Sequence, residues 1–196
     1  MTAVIEYDAG NIRSVLDALA RLDAGDVVLT PDPELIRSAD RVILPGVGDA
    51  SVVLASLRRA GLASLVCGLT QPVLGICAGM QILCSHTEEG DADGLGVFRT
   101  QVRRFRPDDA SLKVPHMGWN SLNGMSGPLF EGMPDPAYVY FVHSFYAEVC
   151  EDTVALCGHG VQFSAALQRG NFFGTQFHPE KSGPVGAAIL ANFLKL

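Results

Sequence analysis

The 196-residue sequence lacks the cysteine pattern of a disulfide scaffold or a zinc ribbon. The number of cysteines is odd and no two are spaced as a CxxC pair; they are Cys67, Cys77, Cys84, Cys150 and Cys157. Disulfide-rich secreted domains carry even numbers of paired cysteines, whereas cytosolic proteins keep their thiols reduced. We therefore expect free thiols in a reducing compartment, most of them as small buried apolar residues.

Long apolar runs and an excess of positive charge are also missing. No apolar stretch reaches the roughly 18 residues that a membrane helix needs, and the first residues enter a β-branched run without a basic leader. These absences predict a cytoplasmic protein that binds no membrane. The formal net charge is −7, and the short arginine clusters at 58–59 and 103–106 fall short of the dense basic surface that nucleic-acid binding requires.

Signatures of metal and nucleotide binding are absent as well. No pair of histidines has the spacing of metal ligands. The segment Leu44–Gly48 fails the phosphate-loop pattern, and Ser51 replaces the third glycine of the dinucleotide-binding pattern. We expect neither a metal nor a cofactor.

Short β-branched runs alternate with helical patterns in the first half of the chain. Because 48% of the residues are hydrophobic and no linker interrupts them, we predict one domain, residues 1–196. Alternating strands and helices are typical of a mostly parallel sheet. The predicted strands are 3–7, 27–30, 41–44 and 72–76, and the predicted helices are 12–23 (capped by Asn11), 49–60 and 79–86.

The second half has a different pattern. Strand-like runs follow one another at 97–104, 138–148, 153–157, 162–168 and 171–177, before a last helix at 183–195. They predict antiparallel or mixed strands in the same sheet. The fold class is therefore α/β, with an open, mostly parallel but mixed sheet and helices on both faces. The proline-rich segment 105–136 is predicted to be a long irregular excursion.

The most informative stretch has the form Gly-x-Cys-x-Gly around Cys77. A buried strand ends, a reactive side chain occupies a sharp turn and a helix begins, with Gly75 and Gly79 leaving room for the crossing. The turn places the sulfur at a helix N-terminus, where the dipole and free N–H groups favour a thiolate. The N–H of Ala78 would point at an oxyanion formed by attack from Cys77. Taken alone, the motif could also hold a buried structural cysteine.

A histidine and a glutamate stand two residues apart near the C-terminus. Pro179 biases His178 toward an extended conformation, in which residues i and i+2 lie on the same face. Glu180 should therefore point the same way as His178, orienting the imidazole and stabilising its cation. A catalytic Cys-His pair needs such a third group. The tripeptide alone could also form a surface turn.

Glycines flank Val47 at the end of the third predicted strand. Gly46 and Gly48 allow the peptide between them to take unusual backbone angles or to flip. We interpret the N–H of Val47 or Gly48 as a second oxyanion donor, pointing away from the sulfur at rest; a plain glycine turn is the alternative. Open α/β folds place their sites at the carboxyl ends of sheet strands.

These three motifs, in this order, resemble the class I (triad) glutamine amidotransferases, and the match spans nearly the whole chain. The resemblance implies the fold of that family and hydrolysis of glutamine to glutamate and ammonia. It further implies a catalytic triad of Cys77, His178 and Glu180, oxyanion donors at Val47, Gly48 and Ala78, and a glutamine site made of Gly48, Gln81, Glu89 and Ser144.

Four segments are similar to a narrower family, the glutaminase subunits of imidazole glycerol phosphate synthases: Ile5–Val15, Lys113–Asn120, Tyr140–Tyr146 and Gln176–Ser182. The resemblance implies a heterodimer with a (β/α)8 cyclase subunit. That subunit would use the ammonia to make imidazole glycerol phosphate and an aminoimidazole carboxamide ribonucleotide in histidine biosynthesis. The implied interface residues are His116, Trp119, Asn120 and Lys181, although a tryptophan can equally be a core residue.

Two segments depart from the family pattern. Ala78 stands where leucine usually follows the cysteine, and Glu6–Asp8 stands where Asp-Tyr-Gly is usual. In the pyridoxal phosphate synthase glutaminases, the strand-to-helix turn that carries the cysteine, here called the elbow, can also have alanine after the cysteine. Those proteins lack the Pro-His-Met-Gly-Trp-Asn segment. Two other classes remain alternatives: a partner-free cysteine hydrolase, and a binding module on an inactive scaffold, which the presence of all three triad residues disfavours.

Overall fold

A computed structural model describes residues 1–7, 12–108 and 112–196. Five strands make the parallel half of its main sheet: β1 (Thr2–Ile5), β2 (Val27–Thr30), β3 (Arg41–Leu44), β4 (Val73–Ile76) and β13 (Phe172–Thr175). They lie in the order β2, β1, β3, β4, β13, and every pairing among them is parallel. The four strands predicted in the first half of the chain are thus confirmed.

The other half of the main sheet is mostly antiparallel. Its strands are β5 (Cys84–Thr87), β6 (Ala92–Asp93), β7 (Phe98–Arg104), β10 (Phe145–Ala147), β11 (Thr153–His159) and β12 (Val161–Arg169). From β13 the order continues β12, β10, β7, β5, β6, with β11 attached to β12. Only the β5–β7 pairing in this half is parallel. The predicted mixed sheet is confirmed.

Helices cover both faces of the main sheet, as predicted. On one face lie α1 (Arg13–Arg21) and α6 (Gly183–Phe193); on the other lie α2 (Pro33–Ser38), α3 (Ala50–Arg59), α4 (Ala63–Cys67) and α5 (Ala78–Leu83). Side chains alternate between the faces along β1, where Ala3 and Ile5 meet the second set of helices and Val4 meets the first. None of these helices is long and apolar enough to span a bilayer.

Some predicted boundaries were wrong. Helix α5 ends at Leu83 instead of 86, because Cys84 begins β5 and pairs with β7. The short helices α2 and α4 were not predicted, since so few turns give no clear helical periodicity. Asn11, the predicted cap of the first helix, lies outside the described residues.

The segment predicted to be an irregular excursion contains a strand. Strands β8 (His116–Leu122) and β9 (Ala137–His143) form a separate two-stranded antiparallel sheet, here called the ribbon. The predicted strand at 138–148 is divided at Ser144, so β9 joins the ribbon and only β10 joins the main sheet. Gly118 and Asn120 are poor strand formers, and pairing with β9 overrides their local preference.

Helix α5 crosses the ends of β3 and β4 with backbone against backbone. A β-carbon on Gly79 would lie 2.1 Å from the carbonyl oxygen of Leu44, and one on Gly46 would lie 2.3 Å from the nitrogen of Gly79. A β-carbon on Gly75 would lie 2.7 Å from the carbonyl oxygen of Gly79. Real β-carbons do not approach backbone atoms so closely, so these positions require glycine.

We expect Gly79→Ala to lower the free energy of unfolding by about 3 kcal/mol or more, because rigid backbone has to move to admit the methyl group. Gly158→Ala is the matched control, since a β-carbon there would meet no atom within 4 Å. Urea denaturation of both variants measures the difference. Equal stabilities would show that the crossing is not close-packed.

Candidate active site

Cys77 occupies the turn between β4 and α5 in a strained conformation. Its φ is 53° and its ψ is −111°, backbone angles that residues other than glycine rarely adopt. The backbone nitrogen of Cys77 donates to the carbonyl of Thr175 at 2.7 Å, which ties the turn to β13. Such strain costs on the order of 1–3 kcal/mol and persists only where surrounding contacts hold it. The turn directs the sulfur into a cavity.

His178 and Glu180 lie together beside this cavity, as the two-residue spacing predicted. Nδ1 of His178 is 2.8 Å from Oε1 of Glu180, and both side chains are 2% exposed. His178 is extended, and Glu180 lies in a 3-10 turn, Pro179–Lys181. The His178 nitrogen donates to the carbonyl of Tyr140, and the Ser182 hydroxyl donates to the carbonyl of His178. The backbone around the imidazole is therefore held on both sides.

The electrostatics of His178 favour a cation. Burial by itself lowers the pKa of His178, but hydrogen bonds to Cys77 and Glu180, and the negative charges of those groups, raise it to about 9. The imidazole thus keeps its proton at neutral pH. A protonated imidazole hydrogen-bonded to sulfur is the partner that a thiolate needs, and a carboxylate on its other nitrogen fixes its orientation.

The cavity has a volume of about 430 Å³, within the range of small-molecule sites. All four residues predicted to hold the substrate line it together with Cys77 and His178: Gly48, Gln81, Glu89 and Ser144. The carboxylate of Glu89 accepts a hydrogen bond from the nitrogen of Ala50 at 2.7 Å. Its pKa is raised, chiefly by burial. A ligand with an ammonium group would favour the charged form of Glu89.

The amide of Gln81, predicted to help hold the substrate, already bonds to two neighbours. Its amide nitrogen donates to the carbonyl of Phe145 at 3.0 Å and to Oε1 of Gln176 at 2.9 Å. Both N–H groups are therefore in use, and a ligand would be left with Oε1. Gln176, which the sequence prediction missed, in turn reaches the sulfur of Cys77. Its position two residues before His178 was the available signal, since i and i+2 share a face.

The predicted oxyanion donors do not converge in this structure. The N–H of Ala78 donates to the carbonyl of Gly46 at 3.3 Å. In a trans peptide the N–H points opposite to the carbonyl, so the N–H of Val47 is directed away from Ala78. The hydroxyl of Tyr7 donates to the carbonyl of Pro45, and Gly48 has a φ of +88°. The segment Pro45–Gly48 is thus held with a carbonyl, not an N–H, beside the elbow.

The predicted interface residues divide between surface and interior. Trp119 is 58% exposed and Lys181 is exposed at the cavity, while Asn120 is half-buried. His116 is 5% exposed, so little of its surface is available to a partner, and its interface role stays a prediction. Positions 116 and 119 differ by an odd number of residues along β8, so their side chains lie on opposite faces of the ribbon.

Beneath the ribbon, His116 belongs to a buried cluster of rings. Its Nδ1 is 2.9 Å from Nε2 of His143, its Nε2 is 3.1 Å from the amide nitrogen of Asn120, and its ring stacks on His159 at 4.2 Å. Burial lowers the pKa of His116 to about 4 and that of His143 to about 3. Both imidazoles are neutral at pH 7. Among the described residues, no group of three or more His, Cys, Asp or Glu side chains is arranged to hold a metal ion.

Comparison with known families agrees with this geometry. The model of the family described as Glutamine amidotransferase class-I matches residues 3–196. The chain belongs to the class-I glutamine amidotransferase family. A putative GMP synthase subunit from Thermoplasma acidophilum has the same fold, with a TM-score of 0.75 and 20% identity, and the match covers 100% of this chain and 92% of that chain. PurLQS from Thermotoga maritima also has this fold, with a TM-score of 0.71 and 19% identity, and the match covers 99% of this chain and 97% of that chain.

Relatives within the family are much more similar in sequence. An imidazole glycerol phosphate synthase subunit HisH from Bacteroides thetaiotaomicron is 52% identical over 194 residues, covering 99% of this chain and 98% of that protein. A subunit of the same name from Idiomarina loihiensis is 46% identical over 194 residues, covering 98% and 96%. These amidotransferases match the present chain from end to end.

We expect an electrophile such as iodoacetamide to alkylate Cys77 faster than the buried Cys84 and Cys157, because burial raises the pKa of both buried thiols. His178→Asn should slow alkylation of Cys77 roughly tenfold at pH 7, since the stabilising cation is lost. The pKa of His178 is raised to about 9, so the difference should be present at neutral pH and shrink as the pH rises through 9. Mass spectrometry gives each rate.

The exposed Cys67 is the internal control in that experiment. Its rate should be the same in the parent and in His178→Asn. Alkylation of Cys77 at the same rate in both proteins would show that His178 does not activate the sulfur.

Proposed function

We propose that this chain is the glutaminase subunit of an imidazole glycerol phosphate synthase. It hydrolyses glutamine to glutamate and ammonia through Cys77, His178 and Glu180. The observation that carries the proposal is the placement of Cys77 and His178 at a cavity of substrate size, with Glu180 bonded to His178. The chain is also 52% identical over its length to a subunit of that enzyme. We further propose a cytoplasmic location and a reaction that uses neither metal nor cofactor.

The chemistry follows from the geometry of the triad. The Cys77 thiolate attacks the side-chain carbonyl carbon of glutamine, forming a C–S bond and an oxyanion. As the C–N bond breaks, His178 gives its proton to the leaving ammonia. The neutral imidazole then takes a proton from water, which attacks the thioester and releases glutamate. Glu180 keeps Nδ1 of His178 in place through both steps.

The hydrogen bond between Ala78 and Gly46 supports a switch between an inactive and an active arrangement of the oxyanion donors. The N–H of Ala78 is the proposed first oxyanion donor, and it now donates to Gly46. Rotation of the Gly46–Val47 peptide would release this N–H and turn that of Val47 toward the sulfur, and two flanking glycines make rotation sterically cheap. The resting chain is then nearly idle, and a partner activates it by binding the rotated form more tightly.

We propose that the outer face of the ribbon binds the (β/α)8 cyclase subunit, forming a heterodimer. Met117 is 63% exposed, and Trp119 and Tyr138 are each 58% exposed. Large exposed apolar side chains grouped on one face are typical of protein–protein contacts. Lys181, which lines the cavity together with Val142, adds a charged group beside this face. Asn120 lies on the inner face, where its amide nitrogen is 3.1 Å from Nε2 of His116. The ribbon lies beside the cavity, which Val142 of β9 lines, so ammonia could pass from Cys77 to the cyclase.

A glutaminase assay with and without the cyclase tests this function. The isolated chain should hydrolyse glutamine slowly because its oxyanion site is filled by Gly46. The complex with its nucleotide substrate should be faster by orders of magnitude, each tenfold requiring about 1.4 kcal/mol of preferential binding to the rotated form. Cys77→Ser is the control without a nucleophile. Equal rates for the chain alone and for the complex would contradict the switch and favour a partner-free hydrolase.

Titration of the cyclase in the same assay tests whether the cyclase binds to the ribbon. Trp119→Ala should raise the cyclase concentration needed for half-maximal activation about 30-fold, since an interface anchor contributes about 2 kcal/mol. Val52→Ala is the control, because Val52 is 59% exposed but lies on α3. If both variants behave like the parent, the cyclase does not bind through Trp119.

A further inference from the structure

One backbone carbonyl determines how the amides near Cys77 are oriented. The carbonyl of Phe145 can only accept hydrogen bonds, so the Gln81 side-chain atom 3.0 Å away must be the amide nitrogen. That same nitrogen faces Gln176 at 2.9 Å, so the Gln176 atom it meets must be the oxygen. The remaining end of the Gln176 amide is then the NH2 group, and it faces the sulfur of Cys77 at 3.7 Å.

Burial makes this arrangement rigid. Gln176 is fully buried, and Gln81 is 4% exposed. The backbone nitrogen of Gln176 also donates to the carbonyl of Ala165, in β12. Turning either amide over would set two N–H groups or two oxygens against each other in a buried place, which is unfavourable because each unpaired polar group loses its hydrogen bond to water without replacement. The donor is therefore preorganised toward the sulfur.

The other groups around the sulfur leave a role for this donor. The titratable and charged side chains that line the cavity with Cys77 are His178, His143, Glu89 and Lys181. His143 stays neutral, since burial lowers its pKa to about 3. Its Nδ1 lies 2.8 Å from the Phe145 carbonyl, to which it donates. His178 has to hold its proton until the leaving group departs, so a second donor to the sulfur is useful.

We propose that Gln176 is a further catalytic residue, which donates an amide hydrogen bond to the Cys77 sulfur and stabilises the thiolate before it attacks. Gln81 and the Phe145 carbonyl are the groups that position it. The inference rests on the proposed function, in which Cys77 is the nucleophile. Because the hydrogen bond lowers the energy of the thiolate, it increases the thiolate population at neutral pH and slightly reduces the nucleophilicity of each thiolate.

This balance gives a signature that a structural role would not produce. We expect Gln176→Met to slow iodoacetamide alkylation of Cys77 roughly tenfold or more at pH 7, the effect of losing a hydrogen bond to a charged group. Its rate–pH profile should move to higher pH, while the limiting rate at high pH should not fall. Gln176→Glu keeps an oxygen for Gln81 but sets a carboxylate against the sulfur, so it should slow the reaction further.

Gln162→Met, an exposed position on β12, is the matched control, and protection of Cys84 and Cys157 from alkylation reports that a variant is folded. If the Gln176 variants do not fold, the test is made in a chain that retains Gln176. There Cys77→Ser, compared with the parent, should shift the side-chain amide proton resonance of Gln176 more than that of Gln162. An unchanged profile in folded Gln176 variants, or an unmoved resonance, would overturn the role of Gln176 only. A parent chain whose Cys77 reacts no faster than Cys67 would instead contradict the proposed nucleophile.

Discussion

The site depends on one steric constraint, the crossing of α5 over the ends of β3 and β4 without intervening side chains. Gly46, Gly75 and Gly79 bring three backbone segments into direct contact. Only at this separation can the N–H of Ala78 reach the carbonyl of Gly46. In the proposed mechanism, the contact that positions the nucleophile therefore also occupies the donor that its oxyanion would need. One local geometry then accounts for both the strained turn and the proposed resting state.

Much of the site could be predicted from local sequence rules. The elbow follows from the glycines around Cys77, and the pairing of His178 with Glu180 follows from their spacing and from Pro179, so neither depends on distant parts of the chain. The parallel strands and most helices were predictable for the same reason, since each has a complete local periodicity.

What could not be predicted depends on contacts between distant residues. The bond from Gln81 to Gln176 joins positions 95 residues apart, and no local pattern encodes it. The ribbon exists because β9 pairs with a segment of poor strand formers. His116 was placed on the surface because its motif resembles an interface, whereas the alternation along β8 turns its ring inward. Local sequence shows which chemistry is available, and tertiary pairing decides which atoms are left to perform it.

The ribbon has a consequence for the production of this protein in a cell. A chain with Met117, Trp119 and Tyr138 exposed on one face can self-associate through that face in crowded solution. Whatever covers the ribbon also removes this hazard, and by mass action the uncovered fraction depends on the amounts of both chains. If the proposed cyclase covers this face, balanced synthesis of the two chains protects the protein from aggregation as well as supplying the proposed activator.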